Sequence, residues 1–342
     1  MQTKPNQPAA QSAAQPPFSQ AFLQPRIGID LGGTKIELIV MQGDGSISHR
    51  ERSPTPHNDY KATLQVLKNL ISTVSNKAGL SNQLPIGIGT PGAVSLKTGL
   101  MMNCNSTCLN NQPLREDLEI LTGRAVRIAN DADCFALSEA SDGAGCNEAT
   151  VFGVILGTGV GGGIVMNKSL NRGVNAISGE WGHNTLPIDA LDQPLPALLT
   201  ESRRPCFCGR FNCVETWISG PAFEKNYRIQ TGSKLGAADI VRLYREGDAS
   251  AGAIFDQYLH LLALGLANII NIIDPAAIVL GGGISNIDEL YEAIPNLLSR
   301  YVFSDGIHTQ ILQAQHGDSS GVRGAAWLWT SDDVAQQLEN SP

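Results

Sequence analysis

Charge is scarce in this sequence, and there is no basic excess. Asp, Glu, Lys and Arg make up 16% of 342 residues, with 24 basic against 32 acidic side chains and a formal charge of −8. That balance excludes the basic face needed to follow a nucleic-acid backbone, so any phosphate must be gripped locally. No run of about 18 apolar residues offers a bilayer span, so no membrane partner is expected. Residues 1–25 hold few large apolar side chains among Gln, Ala and Pro, and they read as a disordered tail. They also lack the apolar stretch of roughly 7–15 residues of a secretory signal, which leaves the cytoplasm as the expected compartment. Histidine is limited to six copies.

What is present is enough hydrophobic side chain, 42%, to build a substantial core. The length exceeds the roughly 100–200 residues typical of one domain, so two lobes around a cleft are expected. RIGIDLG reads as a buried strand entering a glycine turn, and KIELIVM resumes the strand pattern, which together predict a β-hairpin. From Tyr60 to Ala78, Leu64, Leu67, Ile71, Val74 and Ala78 recur at helical spacing and predict an amphipathic helix. LPIGIGTPGAV, AVRIAND, TVFGVILGTGVGGGIVM and AAIVLGGG are further junctions of strand and glycine, and Phe255 to Ile273 reads as a buried helix. The fold class is α/β, with ligands expected at the strand ends. IDLGGTK and VILGTGVGGGI echo each other as strand, glycine turn and strand, which suggests two similar lobes facing one nucleotide.

Four constellations carry chemistry. Asp30, Gly32, Gly33, Thr34 and Lys35 form a glycine turn whose backbone N–H groups can approach a phosphate, although an ordinary hairpin loop has the same composition. No Gly-Lys-Ser/Thr follows and the chain returns as a strand, so neither a Walker A loop nor a dinucleotide fingerprint fits. Gly157, Thr158, Gly159, Gly161, Gly162 and Gly163 form a second, denser glycine run. Asn130 and Asp131 end an apolar strand. There Asp131 either accepts a proton from a substrate hydroxyl or caps the helix that follows. Cys206, Cys208 and Cys213 crowd into eight residues of CFCGRFNC, a spacing that suits metal thiolates better than disulfides in a reducing compartment. His183 in GEWGH is the candidate fourth ligand, and four protein ligands would make the zinc structural. Glu180, Glu215 and Asn105 stand near these motifs as groups able to hydrogen-bond a polyhydroxylated ligand.

Taken in order, DLGGTK, GIGTPGAV, NDADCFALSEA, GTGVGGGIV, GEWGH, CFCGRFNCVETWISG and IVLGGGISN resemble the ROK family of repressors and sugar kinases across about residues 26–330. Within it, NSTCLNNQPL, GEWGHNTLP and HGDSSGVRGAAWLW resemble the bacterial fructokinases. GTGVGGG and PIDAL also occur in the N-acetylhexosamine kinase branch.

The resemblance implies an actin-like ATPase (ribonuclease H-like) fold. A small lobe would span 26–130, with a C-terminal helix of about 318–338 packed back on it, and a large lobe 131–317. It implies transfer of the γ-phosphate of ATP to a hexose, fructose before N-acetylglucosamine, and a homodimer. Asp131 would be the general base and Asp30 would hold Mg²⁺ through water. Gly28, Ile29, Asp30, Leu31, Gly32, Gly33, Thr34 and Lys35, the second glycine run, and Gly281, Gly282 and Gly283 would surround the nucleotide. Asn105, Asn130, Asp131, Glu180, His183 and Glu215 would bind the sugar, and His183, Cys206, Cys208 and Cys213 the zinc. The ROK repressors carry a helix-turn-helix ahead of this region, and residues 1–25 hold nothing that could form one. The family's zinc motif often has a glycine where this chain has Asn212.

Overall fold

The computed structural model describes residues 24–200 and 203–339. The segment read as a disordered tail lies, except for its last two residues, outside them.

The first part of the chain builds one sheet. Strands β1 (Arg26–Leu31) and β2 (Lys35–Met41) pair antiparallel as the expected hairpin, with Ile29 opposite Leu38, and β3 (Ile47–Pro54) extends it. The amphipathic stripe forms helix α1 (Tyr60–Ala78), whose Asp59 accepts a hydrogen bond from Ala62 N at the start and whose Gly79 ends it at φ 61°. There follow β4 (Ile86–Thr90), a two-stranded ribbon of β5 (Ala93–Val94) and β6 (Met101–Met102), helix α2 (Leu114–Thr122) and β7 (Val126–Asn130). The sheet runs β3-β2-β1-β4-β7, with β4 and β7 parallel to β1. Helix α3 (Asp131–Ser141) leaves β7 without a loop.

A second sheet repeats this plan. Strands β8 (Thr150–Leu156), β9 (Val160–Met166) and β10 (Ser169–Leu170) are followed by the short helices α4 (Ala197–Thr200) and α5 (Glu215–Ile218). Then come α6 (Gly220–Thr231), α7 (Ala237–Arg245), α8 (Ala249–Ile273), β11 (Ala277–Gly281), α9 (Glu289–Leu298) and β12 (Gln310–Gln313). The order β10-β9-β8-β11-β12 is again third, second, first, fourth, fifth. The sequence echo at the two glycine turns is therefore the trace of a whole repeated sheet. Helix α8 is long and apolar enough to cross a membrane by composition, but it is mostly buried, and its Phe255 joins Trp217 and Phe223 in the core of this half.

The single C-terminal helix expected at 318–338 is instead two, α10 (Ser320–Trp327) and α11 (Ser331–Glu339). Thr330 and Asp333 exchange side-chain and backbone hydrogen bonds at 3.0 and 3.1 Å, a reciprocal cap that starts a new helix. Trp329 Nε1 donates to Ile86 O and Arg26 Nε donates to Trp329 O, both at 2.9 Å, which ties this end of the chain to the first sheet.

Helices α3 and α10 lie between the sheets. Their backbones come so close that a side chain at Gly324 would overlap Cys134, and α10 sits equally tightly over Gly87 of β4. At the far end of α3 the fully buried Glu139 carboxylate accepts from Ala144 N (3.0 Å), Gln315 N (3.0 Å), His316 N (3.1 Å) and Ser320 Oγ (2.8 Å). Removing it leaves those donors unpaired, and breaking a buried charged network typically costs about 3–5 kcal/mol. In urea denaturation, Glu139→Ala is expected to lose that much, whereas Glu246→Ala, which breaks an exposed pair with Arg242, should lose under about 1 kcal/mol. Equal losses would mean that Glu139 does not hold the two helices together.

Candidate active site

Asp131 is the first residue of α3, and the cap expected of it belongs to Asn130, whose Oδ1 accepts from Ala132 N at 2.8 Å. Asp131 Oδ1 shares the same N–H at 2.8 Å. Asp131 is open to solvent through the cleft mouth, yet protein surrounds it on its other sides. That enclosure raises its pKa above the usual carboxylate range, Glu180 adds to the rise, and the Ala132 N–H opposes it. Asp30, at the end of β1, is pushed up to about 6, first by burial and then by the charges of Asp131 and Glu37, with Lys35 opposing. Two carboxylates that repel each other beside an open cleft are a donor set suited to a hydrated divalent cation.

The first glycine turn is braced from behind. Gly32 N donates to Lys35 O at 3.0 Å, and Thr55 donates to Gly32 O and Thr34 O at 2.7 and 3.0 Å, leaving Gly33, Thr34 and Lys35 exposed. Gly28, Ile29 and Leu31 lie behind this turn. Gly28 is packed under Val322 and Ala326 of α10, and Ile29 and Leu31 are buried in the core, so of the expected nucleotide segment the solvent-facing part is Gly33 to Lys35.

The second run narrows in the same way. Gly157, Thr158 and Gly159 form the turn between β8 and β9, closed by a bond from Gly157 N to Gly159 O at 3.0 Å and tied to Gly220 N at 2.9 Å. Gly161, Gly162 and Gly163 lie within β9 instead, where they let the strand approach α3 and Trp181. A cavity of about 720 Å³ extends from this turn between α6, α7 and the residues after β11, lined by Thr158, Gly220, Glu224, Arg245, Gly283 and Asn286. Gly283 is open to it, whereas Gly281 is covered by the Phe135 ring and Gly282 (φ 85°) makes the bend behind it.

The other sugar-site candidates stand beside the two glycine turns and the cysteine cluster. Asn105 is exposed on a loop that Asn110 clamps by two bonds to Cys104, at 2.9 and 3.1 Å. A methyl group at Gly33 would lie 3.4 Å from the neighbouring Ser106 Oγ, so this loop stands beside the first glycine turn. Glu180 and His183 sit on a turn fixed by Trp181, whose Nε1 donates to Gly161 O at 2.9 Å. Glu215 accepts from Val160 N at 3.1 Å, and its other oxygen lies 3.7 Å from Cys206 Sγ.

The ligand atoms of His183, Cys206, Cys208 and Cys213 lie within 4.8 Å of one another. Tetrahedral zinc with bonds of about 2.3 Å to sulfur sets its ligands roughly 3.5–3.8 Å apart. The distances of 3.5 Å from Cys206 Sγ to His183 Nδ1 and 3.7 Å between Cys208 and Cys213 fit that edge. Asn212, where a glycine is often found, adopts φ 56°, a left-handed conformation that asparagine tolerates, and its Oδ1 accepts from Arg204 N at 2.8 Å. The turn survives the departure. Arg204, stacked 3.5 Å over Trp217, anchors the knuckle from below; sequence reasoning had no signal for it.

The ROK family model matches residues 26–332. An N-acetyl-D-glucosamine kinase from Yersinia pseudotuberculosis is 41% identical over 304 residues, 88% of this chain and 97% of that protein. The ROK hexokinase of Thermus thermophilus superposes with a TM-score of 0.77 at 28% identity, over 93% of this chain and 100% of that one. A ROK family glucokinase from Streptomyces griseus, solved with glucose and AMPPNP, gives 0.68 at 28%, over 89% and 99%. An N-acetyl-D-glucosamine kinase from Vibrio atlanticus is 40% identical over 304 residues as well, so these relatives belong to the branch that the sequence motifs placed second to the fructokinases. With its motifs in order and two like sheets around one cleft, the chain belongs to the ROK family and has the actin-like ATPase fold.

Proposed function

We propose that this protein transfers the γ-phosphoryl group of ATP to a hexose hydroxyl, with N-acetyl-D-glucosamine as the first acceptor. The observation that carries this reading is the 41% identity to an N-acetyl-D-glucosamine kinase over nearly its whole length. The site supports it with a base candidate, a nucleotide-sized cavity and a cluster of carboxylates and amides on one cleft. D-fructose is the second reading, favoured by NSTCLNNQPL and GEWGHNTLP around the sugar-site candidates.

In this mechanism Asn105, Asn130, Glu180, His183 and Glu215 orient the sugar, and Asp131 takes the proton from the attacking hydroxyl. Gly33, Thr34 and Thr158 offer donors to the phosphates, while the cavity beyond Thr158 takes the nucleoside. Asp30 would hold Mg²⁺, which screens charge on the phosphoryl oxygens when bound. His183, Cys206, Cys208 and Cys213 would hold a zinc ion through four protein ligands, which would leave it a structural part that keeps His183, and Glu215 beside Cys206, in place.

A coupled assay of ADP release across N-acetyl-D-glucosamine, glucose, mannose and fructose should show the highest kcat/KM with N-acetyl-D-glucosamine. Fructose in first place would favour the second reading, and no turnover with any of them would sink both. Metal analysis should find one zinc per chain, lost in Cys208→Ser; active protein without zinc would refute the assignment. Because Asp30 has a raised pKa, the folded state binds more protons than the unfolded state between the ordinary carboxylate range and about 6. Stability in metal-free buffer should therefore fall as pH rises through that window. Asp30→Asn should flatten the fall and raise Tm at pH 8 by at least about 2 °C, the effect of roughly 1 kcal/mol. A variant less stable than the parent at that pH would refute the electrostatic account of Asp30.

A further inference from the structure

Next to the base lies a second, smaller cavity of about 140 Å³, room for several water-sized groups. Its walls come from four places: Ala93 and Val94 of the β5–β6 ribbon, Arg115 of α2, the length of β7 with Asn130 and Asp133 where it meets α3, and Arg172 on the loop after β10. Asn130 also caps the helix that carries Asp131, so this cavity shares a wall with the proposed sugar site. Asp133 Oδ1 is buried and has no hydrogen-bond partner. A buried carboxyl oxygen without a donor is costly, and the cost is recovered if a ligand supplies the donor. Burial pushes the Asp133 carboxyl up to about 7, Arg172 opposes that rise, and Glu180 and Asp131 add to it. Nothing in the phosphoryl-transfer scheme uses Asp133, Arg172 or Val94.

We infer that this cavity is the subsite for the acetamido substituent of the sugar, with Asp133 and Arg172 as its polar readers. The inference rests on the acceptor reading above. An acetamido group carries one N–H donor, one carbonyl acceptor and one methyl. The Asp133 carboxyl accepts from the N–H, the Arg172 guanidinium donates to the carbonyl, and the methyl lies against Ala93 and Val94. A sugar with a hydroxyl at that carbon can satisfy one polar reader and leaves the apolar wall wet. Sites built to hydrogen-bond a group discriminate strongly against substrates that lack it.

The test is the ratio of kcat/KM for N-acetyl-D-glucosamine to that for glucose, measured in the wild type, Asp133→Ala and Arg172→Met. Calorimetric binding of both sugars without nucleotide provides a readout independent of turnover. The wild type should favour the acetamido sugar, and each variant should lower the ratio by about tenfold or more in both measurements. Arg172 is exposed on a loop, so its variant remains informative if Asp133→Ala folds poorly. A wild-type preference that persists in both variants overturns the subsite and leaves the acceptor reading standing. Equal losses on both sugars overturn it as well, because they mark the two residues as structural. A wild type that does not favour the acetamido sugar overturns the acceptor reading and the subsite with it.

Discussion

The molecule depends on the contact between α3 and α10. These helices are far apart in sequence, yet they touch backbone to backbone because Gly324 has no side chain to hold Cys134 away. One presses on β1 and β4 of the first sheet and the other on β8 and β9 of the second, so the pair forms the layer that both sheets share. Glu139 seals the far end of that layer with its four donors. Close packing of this kind tolerates little added volume.

The site follows from that layer. The free end of α3 is the end that carries Asp131, so fixing the helix also fixes the proposed base relative to both glycine turns. Asp30 reaches the same point from β1, close to Gly321 of α10. On the other side, Glu215 links Val160, just after the second turn, to the cysteine cluster, so the knuckle is tied to that turn. Burial first, and neighbouring carboxylates after it, raise the pKa values of Asp30 and Asp131 here. Shifts of that sort are common where chemistry requires them.

Local pattern made much of the fold legible. The α1 stripe, the first hairpin and the thiolate knuckle follow from spacing alone, and helix α8 differed from expectation mainly in starting earlier, at Ala249. Glycines were harder to read, because sequence does not tell a turn glycine from one that lets two elements touch; Gly28 and Gly161 to Gly163 proved to be of the second kind. Glu139, Arg204 and Asp133 were overlooked for a related reason. Their roles lie in partners or vacancies set by tertiary packing, and the Glu139 donors on the C-terminal segment are 176 to 181 residues away. The acceptor sugar was the least legible feature. PIDAL and GTGVGGG pointed to one branch of the family and NSTCLNNQPL to another, while the proposed acetamido subsite lines a cavity that only the fold assembles.

The account's central claim is that Asp131 serves as a base and not as part of a helix cap, and Asp131→Asn tests it most directly. Asparagine is nearly isosteric, and Asn130 already caps α3, so sugar and nucleotide binding measured by calorimetry should be retained. The account predicts a fall in kcat of about 10²–10⁴-fold with binding intact. A kcat within about threefold of the wild type, far short of a general-base effect, would contradict it.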